Sequence, residues 1–166
     1  MAAMTTLPIL LIEDNPDDEF LTLRAFRKHD FVNPVIVARD GAEALDLLIG
    51  SRVTAFALIL LDLKLPKVPG LEVLRRIRAD DRTRLVRVVI LTSSSEGPDI
   101  ALGYAYGASG YVRKPVDFGD FVDLMSVLGM YWLIMNKPPP LPDRSACGAN
   151  SNPDHQTSGK NESMEA

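Results

Sequence analysis

Four short strand-like runs in this chain each stop at side chains that can do chemistry. ILLI is followed by Glu13 and Asp14, LILL by Asp62, VVIL by Thr92 and GYVR by Lys114. Singly, each has an ordinary explanation: Asp14 or Asn15 can cap a helix, Asp62 can open a turn, and Thr92 can cap the helix that follows. Together they describe something else. Three carboxylates brought close repel one another, and at neutral pH they need a cation to compensate them. Oxygen donors without His or Cys beside them suit a hard ion, and an open site that keeps waters and awaits a phosphate suits Mg²⁺ better than a closed calcium cage. No EF-hand spacing occurs. A carboxylate beside such an ion can attack a phosphoryl group and become an acyl phosphate. Asp62 is the candidate nucleophile; Lys114 would neutralise one phosphoryl oxygen and the Thr92 hydroxyl would donate to another.

For these residues to meet, the runs that carry them must lie side by side. From Leu7 to Met135 short aliphatic segments alternate with longer amphipathic ones, the pattern of βα units around a mostly parallel sheet. Strands are expected at Pro8 to Glu13, Pro34 to Ala38, Ala57 to Asp62, Val88 to Thr92 and Gly110 to Arg113. Helices are expected at about Asp17 to His29, Gly41 to Leu48, Leu71 to Ala79, Gly97 to Tyr106 and Phe118 to Met135. Phe20, Leu23 and Phe26 on the first helix, and Leu71, Leu74 and Ile77 on the third, recur at helical spacing and are expected to face the sheet. In such a fold ligands bind beyond the carboxyl ends of the strands, where four of the five ends carry the groups above.

The 166 residues, 46% of them hydrophobic, suffice for one core, so a single domain is expected over residues 7–136, after a flexible stretch 1–6. Residues 137–166 are rich in Pro, Ser, Asn and Gly and are expected to be disordered. Within them Pro139, Pro142 and Arg144 fit a PxxPxR pattern, read here as a Pro-rich exit from the last helix rather than a ligand for an aromatic groove. The formal charge of −4 is mild and mixed in sign, which argues against a nucleic-acid or membrane-surface partner. MAAMTTLP has no signal-peptide pattern and no apolar run of about 18 residues stands out, so a cytoplasmic location is expected. The single cysteine, Cys147, lies in the polar tail, which fits a reducing compartment. His29 and His155 are read as solvated surface residues.

LLIEDNPDD, LILLDLKLP with Gly70 following, VVILTSSS and GYVRKP together resemble the receiver domain of two-component response regulators, over about Pro8 to Met135. The resemblance implies an α/β, flavodoxin-like, doubly wound fold: a five-stranded parallel sheet in order 2-1-3-4-5 with helices on both faces. It implies that Asp62 is the phosphoacceptor and that Glu13, Asp14, Asp62 and the Lys64 backbone carbonyl hold Mg²⁺. It further implies that Thr92 and Tyr111 form the switch pair, that Lys114 contacts the phosphoryl oxygens, and that the Lys114–Pro115 bond is cis. Lys64 and Ser94 fall where side chains could tune hydrolysis. EDNPDD and the ending GMYWLIMNKPPP are most similar to small stand-alone regulators that partner bacterial phytochromes and related hybrid sensors, which implies a sensor histidine kinase as partner. One departure is KLPKVPG, where Pro69 stands in place of the usual small polar or acidic residue and stiffens the loop beside Asp62.

The last expected helix is apolar on two sides. Phe121, Leu124, Met125, Leu128, Trp132 and Met135 form one stripe, and Val127, Met130, Tyr131 and Ile134 a second. One stripe suffices for the sheet, so the second is expected to form a homodimer. Three other readings compete. A pseudo-receiver would use the fold as a phosphorylation-independent binding module, but every acceptor-site group is present. A haloacid-dehalogenase-type enzyme needs a second acid two residues after the nucleophile, where Lys64 stands. A nucleotide or flavin binder lacks a Gly-rich loop after the first strand. The expected catalysis is therefore self-directed, phosphorylation and hydrolysis at Asp62, with no metabolite turned over.

Overall fold

A computed structural model describes residues 6–50 and 55–140. Five parallel strands, β1 (Ile9–Ile12), β2 (Val35–Ala38), β3 (Leu58–Leu61), β4 (Val88–Thr92) and β5 (Gly110–Arg113), form one sheet in the order β2-β1-β3-β4-β5. Between and after them run α1 (Pro16–Lys28), α2 (Gly41–Leu45), α3 (Gly70–Ala79), α4 (Gly97–Ala105) and α5 (Phe118–Gly129). The expected fold class and strand order are those observed.

The three central strands read as continuous aliphatic runs because both faces of the sheet are covered, and every residue of β1, β3 and β4 is buried. Their side chains alternate between two cores. Leu10, Ile12, Ile59, Leu61, Val88 and Ile90 meet Ala44, Leu45, Val73, Leu74 and Ile77 of α2 and α3. Ile9, Leu11, Leu58, Leu60, Val89 and Leu91 meet Ala25 and Phe26 of α1 and Phe121, Val122, Met125 and Leu128 of α5.

Several expectations are corrected. Phe26 is buried but Phe20 is 60% exposed, because the buried face of α1 turns through Thr22, Ala25 and Phe26 and leaves Phe20 beyond its edge. His29 is not solvated: its Nδ1 lies 3.3 Å from Ser126 Oγ and its Nε2 is buried without a partner, because the end of α1 packs against α5. Among the described residues no peptide bond is cis, so Lys114–Pro115 is trans. The trans isomer is the intrinsic preference of an X–Pro bond; here the Lys114 N–H still reaches Thr92 O at 2.8 Å, and the side chain enters the site without the cis form.

α2 and α5 each end in a π-helical turn, Asp46–Gly50 and Met130–Met135, where continuous α-helix was expected. At the second turn the Asn136 N–H reaches Tyr131 O at 2.7 Å, and Arg87 ties the helix end to the sheet by donating to Trp132 O and Ala57 O. The 18-residue run Phe118–Met135, with a mean hydropathy of 1.4, is long and apolar enough by composition to cross a membrane, contrary to the expectation that no run reaches that length. In this fold one of its faces is core. The expected tail, including Cys147 and His155, lies outside the described residues from 141 onward, as do residues 1–5 and 51–54.

Candidate functional site

Glu13, Asp62 and Lys114 each stand one residue past the end of a strand, on a ladder that continues just far enough to hold them, and Thr92 is the last residue of β4. The Glu13 N–H donates to Ala38 O, the Asp62 N–H to Ile12 O and the Lys114 N–H to Thr92 O, at 3.0, 3.0 and 2.8 Å. Parallel register therefore places all three at the same edge. Asp62 Oδ2 and Glu13 Oε2 accept from Lys114 Nζ at 2.8 and 2.5 Å, with all three side chains buried.

Some of the ordinary roles hold as well. Asn15, not Asp14, caps α1, its Oδ1 accepting from the N–H groups of Asp17 and Asp18. Asp62 Oδ1 accepts from the Lys64 N–H at 3.2 Å, so the turn former and the buried charge are the same residue. Thr92 does not cap α4; its Oγ1 accepts from the Ser94 N–H at 3.3 Å. Pro69 occupies the N-cap position of α3 and supplies no side-chain cap. Lys64 is exposed in the loop after Asp62.

Ser94 joins the two residues of the expected switch pair. Its carbonyl accepts from the Tyr111 hydroxyl at 3.2 Å, and its own hydroxyl donates to Asp99 Oδ2 of α4 at 2.7 Å. Thr92 and Tyr111 thus connect through one buried serine and, through it, to the first turn of α4.

One participant was missed. Asp18 Oδ2, in the first turn of α1, accepts from Lys114 Nζ at 2.8 Å. Its signal was present in EDNPDD: it stands four residues after Asp14, in the first turn of the helix that strand one feeds.

Glu13, Asp14 and Asp62 can each bring a carboxylate oxygen to within 4.8 Å of the others. The donor set is all oxygen and Asp14 is exposed, so the residues fit a hard divalent ion that retains waters. Burial pushes the Glu13 carboxyl up to about 7, against the pull of Lys114 and of the Asn15 N–H. Burial also opposes the Lys114 charge, but its hydrogen bonds to Asp18, Asp62 and Glu13 outweigh that and hold the ammonium above its ordinary value.

The raised Glu13 carboxyl has a measurable result. Between its ordinary value of 4.5 and about 7 the fold holds a proton that the unfolded chain has released. That contribution is complete below the ordinary value and is lost as pH rises toward the upper one, so stability falls with pH in this window. Without divalent cations the thermal midpoint should decline across it, and Glu13→Gln should flatten the decline. Equal slopes in the two proteins would contradict the assignment.

Residues 9–126 match the family described as the response regulator receiver domain. The chain belongs to that family. Among curated receivers it is similar to the probable methanogenesis regulatory protein FilR2 of Methanothrix harundinacea, 38% identical over 134 residues that cover 79% of this chain and 86% of FilR2. Among solved receivers it is similar to the phosphorylated cyanobacterial phytochrome response regulator RcpA, with a TM-score of 0.78 and 30% identity over 82% of this chain and all of that one. It is also similar to the bacteriophytochrome response regulator RtBRR, 47% identical with a TM-score of 0.63, over 82% of this chain and 86% of that one.

Proposed function

We propose that this receiver takes a phosphoryl group onto Asp62 from the phosphohistidine of a sensor histidine kinase and signals through the surface that the change reorders. The observation that carries this reading is the Asp62 carboxylate, held buried at a strand end between Lys114 and the Glu13–Asp14 pair. An Asp62 oxygen forms the new P–O bond as the P–N bond to the kinase imidazole breaks, the electron pair remaining on the imidazole nitrogen. The Glu13, Asp14 and Asp62 carboxylates and the Lys64 carbonyl would hold Mg²⁺, which when bound would supply charge neutralisation at the phosphoryl oxygens. Lys114 contacts one of those oxygens and Thr92 donates to another. Movement of Thr92 carries Ser94, and with it Tyr111 and Asp99, which passes the change to α4.

A donor must cover the rim of the site. Val116 and Phe118, just after Lys114, are exposed, as is Phe20; Arg24, one turn along α1 from Phe20, lies 5.2 Å over the Phe118 ring. This apolar rim suits docking of an apolar surface on the phosphoryl donor. The phytochrome regulators among the relatives favour a bacterial phytochrome as that partner, and the mild, mixed charge of the chain does not favour nucleic acid.

The second stripe of α5 and its π-helical turn is a candidate output surface. Val127, Met130, Tyr131 and Ile134 are exposed together, and Met135, assigned by sequence to the first stripe, joins them at 68% exposure because the wider turn rotates it outward. A homodimer through this face would bury it. Sedimentation should show mass rising with concentration and falling back in Tyr131→Glu; a strict monomer at tens of micromolar would remove the dimer from the account.

The acceptor chemistry is tested by intact mass after incubation with acetyl phosphate and Mg²⁺. One added phosphoryl group, absent without the metal, is expected. A folded protein that gains none, and that also fails to bind fluoroberyllate, would overturn the reading.

A further inference from the structure

The Lys114 ammonium has three protons and three carboxylate partners, Glu13, Asp62 and Asp18, so every donor is committed. Glu13 and Asp62 form the floor of the site, both buried at strand ends. Asp18 differs. Its side chain keeps 29% of its surface exposed, and it stands outside the trio of carboxylates that can converge on one ion. Its backbone is nevertheless fixed, because Asn15 accepts from its N–H and Pro16 sets the first turn of α1.

We propose that Asp18 is a positioning residue for phosphoryl transfer, holding the Lys114 ammonium at the mouth of the site until a phosphoryl oxygen replaces it. This rests on the reading of Asp62 as acceptor. With Glu13 and Asp62 as its only partners, the ammonium would be drawn onto the floor, since two desolvated carboxylates attract it far more strongly than water does. There it would mask the nucleophile and stand away from the donor. A carboxylate at the rim balances that pull.

To contact an incoming phosphoryl group, Lys114 must release one of its bonds. The Asp18 bond is the least costly to release, because only Asp18 can turn to water. One anionic oxygen then replaces another, and the buried ammonium is never left unpaired. With acetyl phosphate as donor, the Asp62–phosphorus bond forms as the bond from phosphorus to the acetyl oxygen breaks; acetate leaves with the electron pair. Asp18 gives and takes no proton.

The test compares wild type with Asp18→Ala, Asp18→Asn and Asp18→Glu. One readout is the rate of phosphoryl-adduct formation over a range of acetyl phosphate concentrations. The other is the ¹⁵N signal of the Lys114 ammonium in metal-free protein, which involves no chemistry. Loss of the carboxylate should slow adduct formation about tenfold, as expected for a misaimed group, and should shift the ammonium signal and speed its exchange with water. Asp18→Glu should recover much of both, and Asp18→Asn, which keeps the shape, should behave as Asp18→Ala. Wild-type rates with an unchanged ammonium signal in both charge-removing variants would overturn the proposal and leave the acceptor reading intact. No adduct on the wild type would overturn both.

Discussion

Asp62→Asn should leave the protein folded and abolish the phosphoryl adduct. The amide keeps the volume of the carboxylate, and its oxygen can still accept from Lys114 or from the Lys64 N–H, where Asp62 bonds at 2.8 and 3.2 Å. It has no anionic oxygen with which to attack phosphorus. Removing one charge should not harm the fold. Glu13, Asp18 and Asp62 crowd onto a single ammonium, with Asp14 beside Glu13 and Asp62, and neutralising one carboxylate in such a cluster relieves repulsion in a partly buried site. The expected result is a thermal midpoint equal to or above wild type and no added mass with acetyl phosphate and Mg²⁺. A phosphorylated Asp62→Asn protein would place the acceptor elsewhere.

Gly70→Ala should damage both stability and phosphorylation, although Gly70 touches no reacting atom. A Cβ at this position would sit 2.3 Å from Asp62 O and 2.7 Å from Leu63 Cα. Both are backbone atoms, and neither can yield as a flexible side chain could. Asp62 is held by its N–H bond to Ile12 O, and the Gly70 N–H is bonded to Leu63 O, each at 3.0 Å. The added methyl must therefore push α3 away from the strand end or displace Asp62. Overpacking of this kind costs about 1–3 kcal/mol. A shift of the nucleophile by on the order of 1 Å can lower the transfer rate about a hundredfold. Denaturant midpoints and adduct-formation rates measure the two effects. Gly97→Ala is the control, since nothing lies within 4 Å of the added carbon; parity between the two variants would contradict the packing explanation.

The strands were legible because a strand buried on both faces must be aliphatic throughout, and ILLI, LILL and VVIL can be little else once helical segments separate them. The groups at the site were legible for a related reason. A carboxylate or lysine that ends such a run is costly to bury unless it meets a partner, so Glu13, Asp62 and Lys114 could be placed at one edge, although their direct contact, across 101 residues of chain for Glu13 and Lys114, was not foreseen. The limits of α1 were not legible. Phe20, Leu23 and Phe26 recur every third residue, but at 3.6 residues per turn Phe20 and Phe26 lie about 120° apart around the helix, and only packing decides which of the two faces the core; it is Phe26.

By itself, then, the sequence determined the βα alternation, the sheet's buried character and the identity of the groups at its carboxyl edge, because periodicity and the cost of buried charge are local properties of residue type. Only the tertiary structure decided that Asp18 completes the partners of Lys114, that Ser94 links Thr92 with Tyr111 and Asp99, that His29 is enclosed by α5, and that the second stripe of the last helix is left bare. These are matters of which surfaces meet and at what distance. A short polar side chain on a helix or loop carries no pattern that names its partner until the backbone brings the two within hydrogen-bond reach.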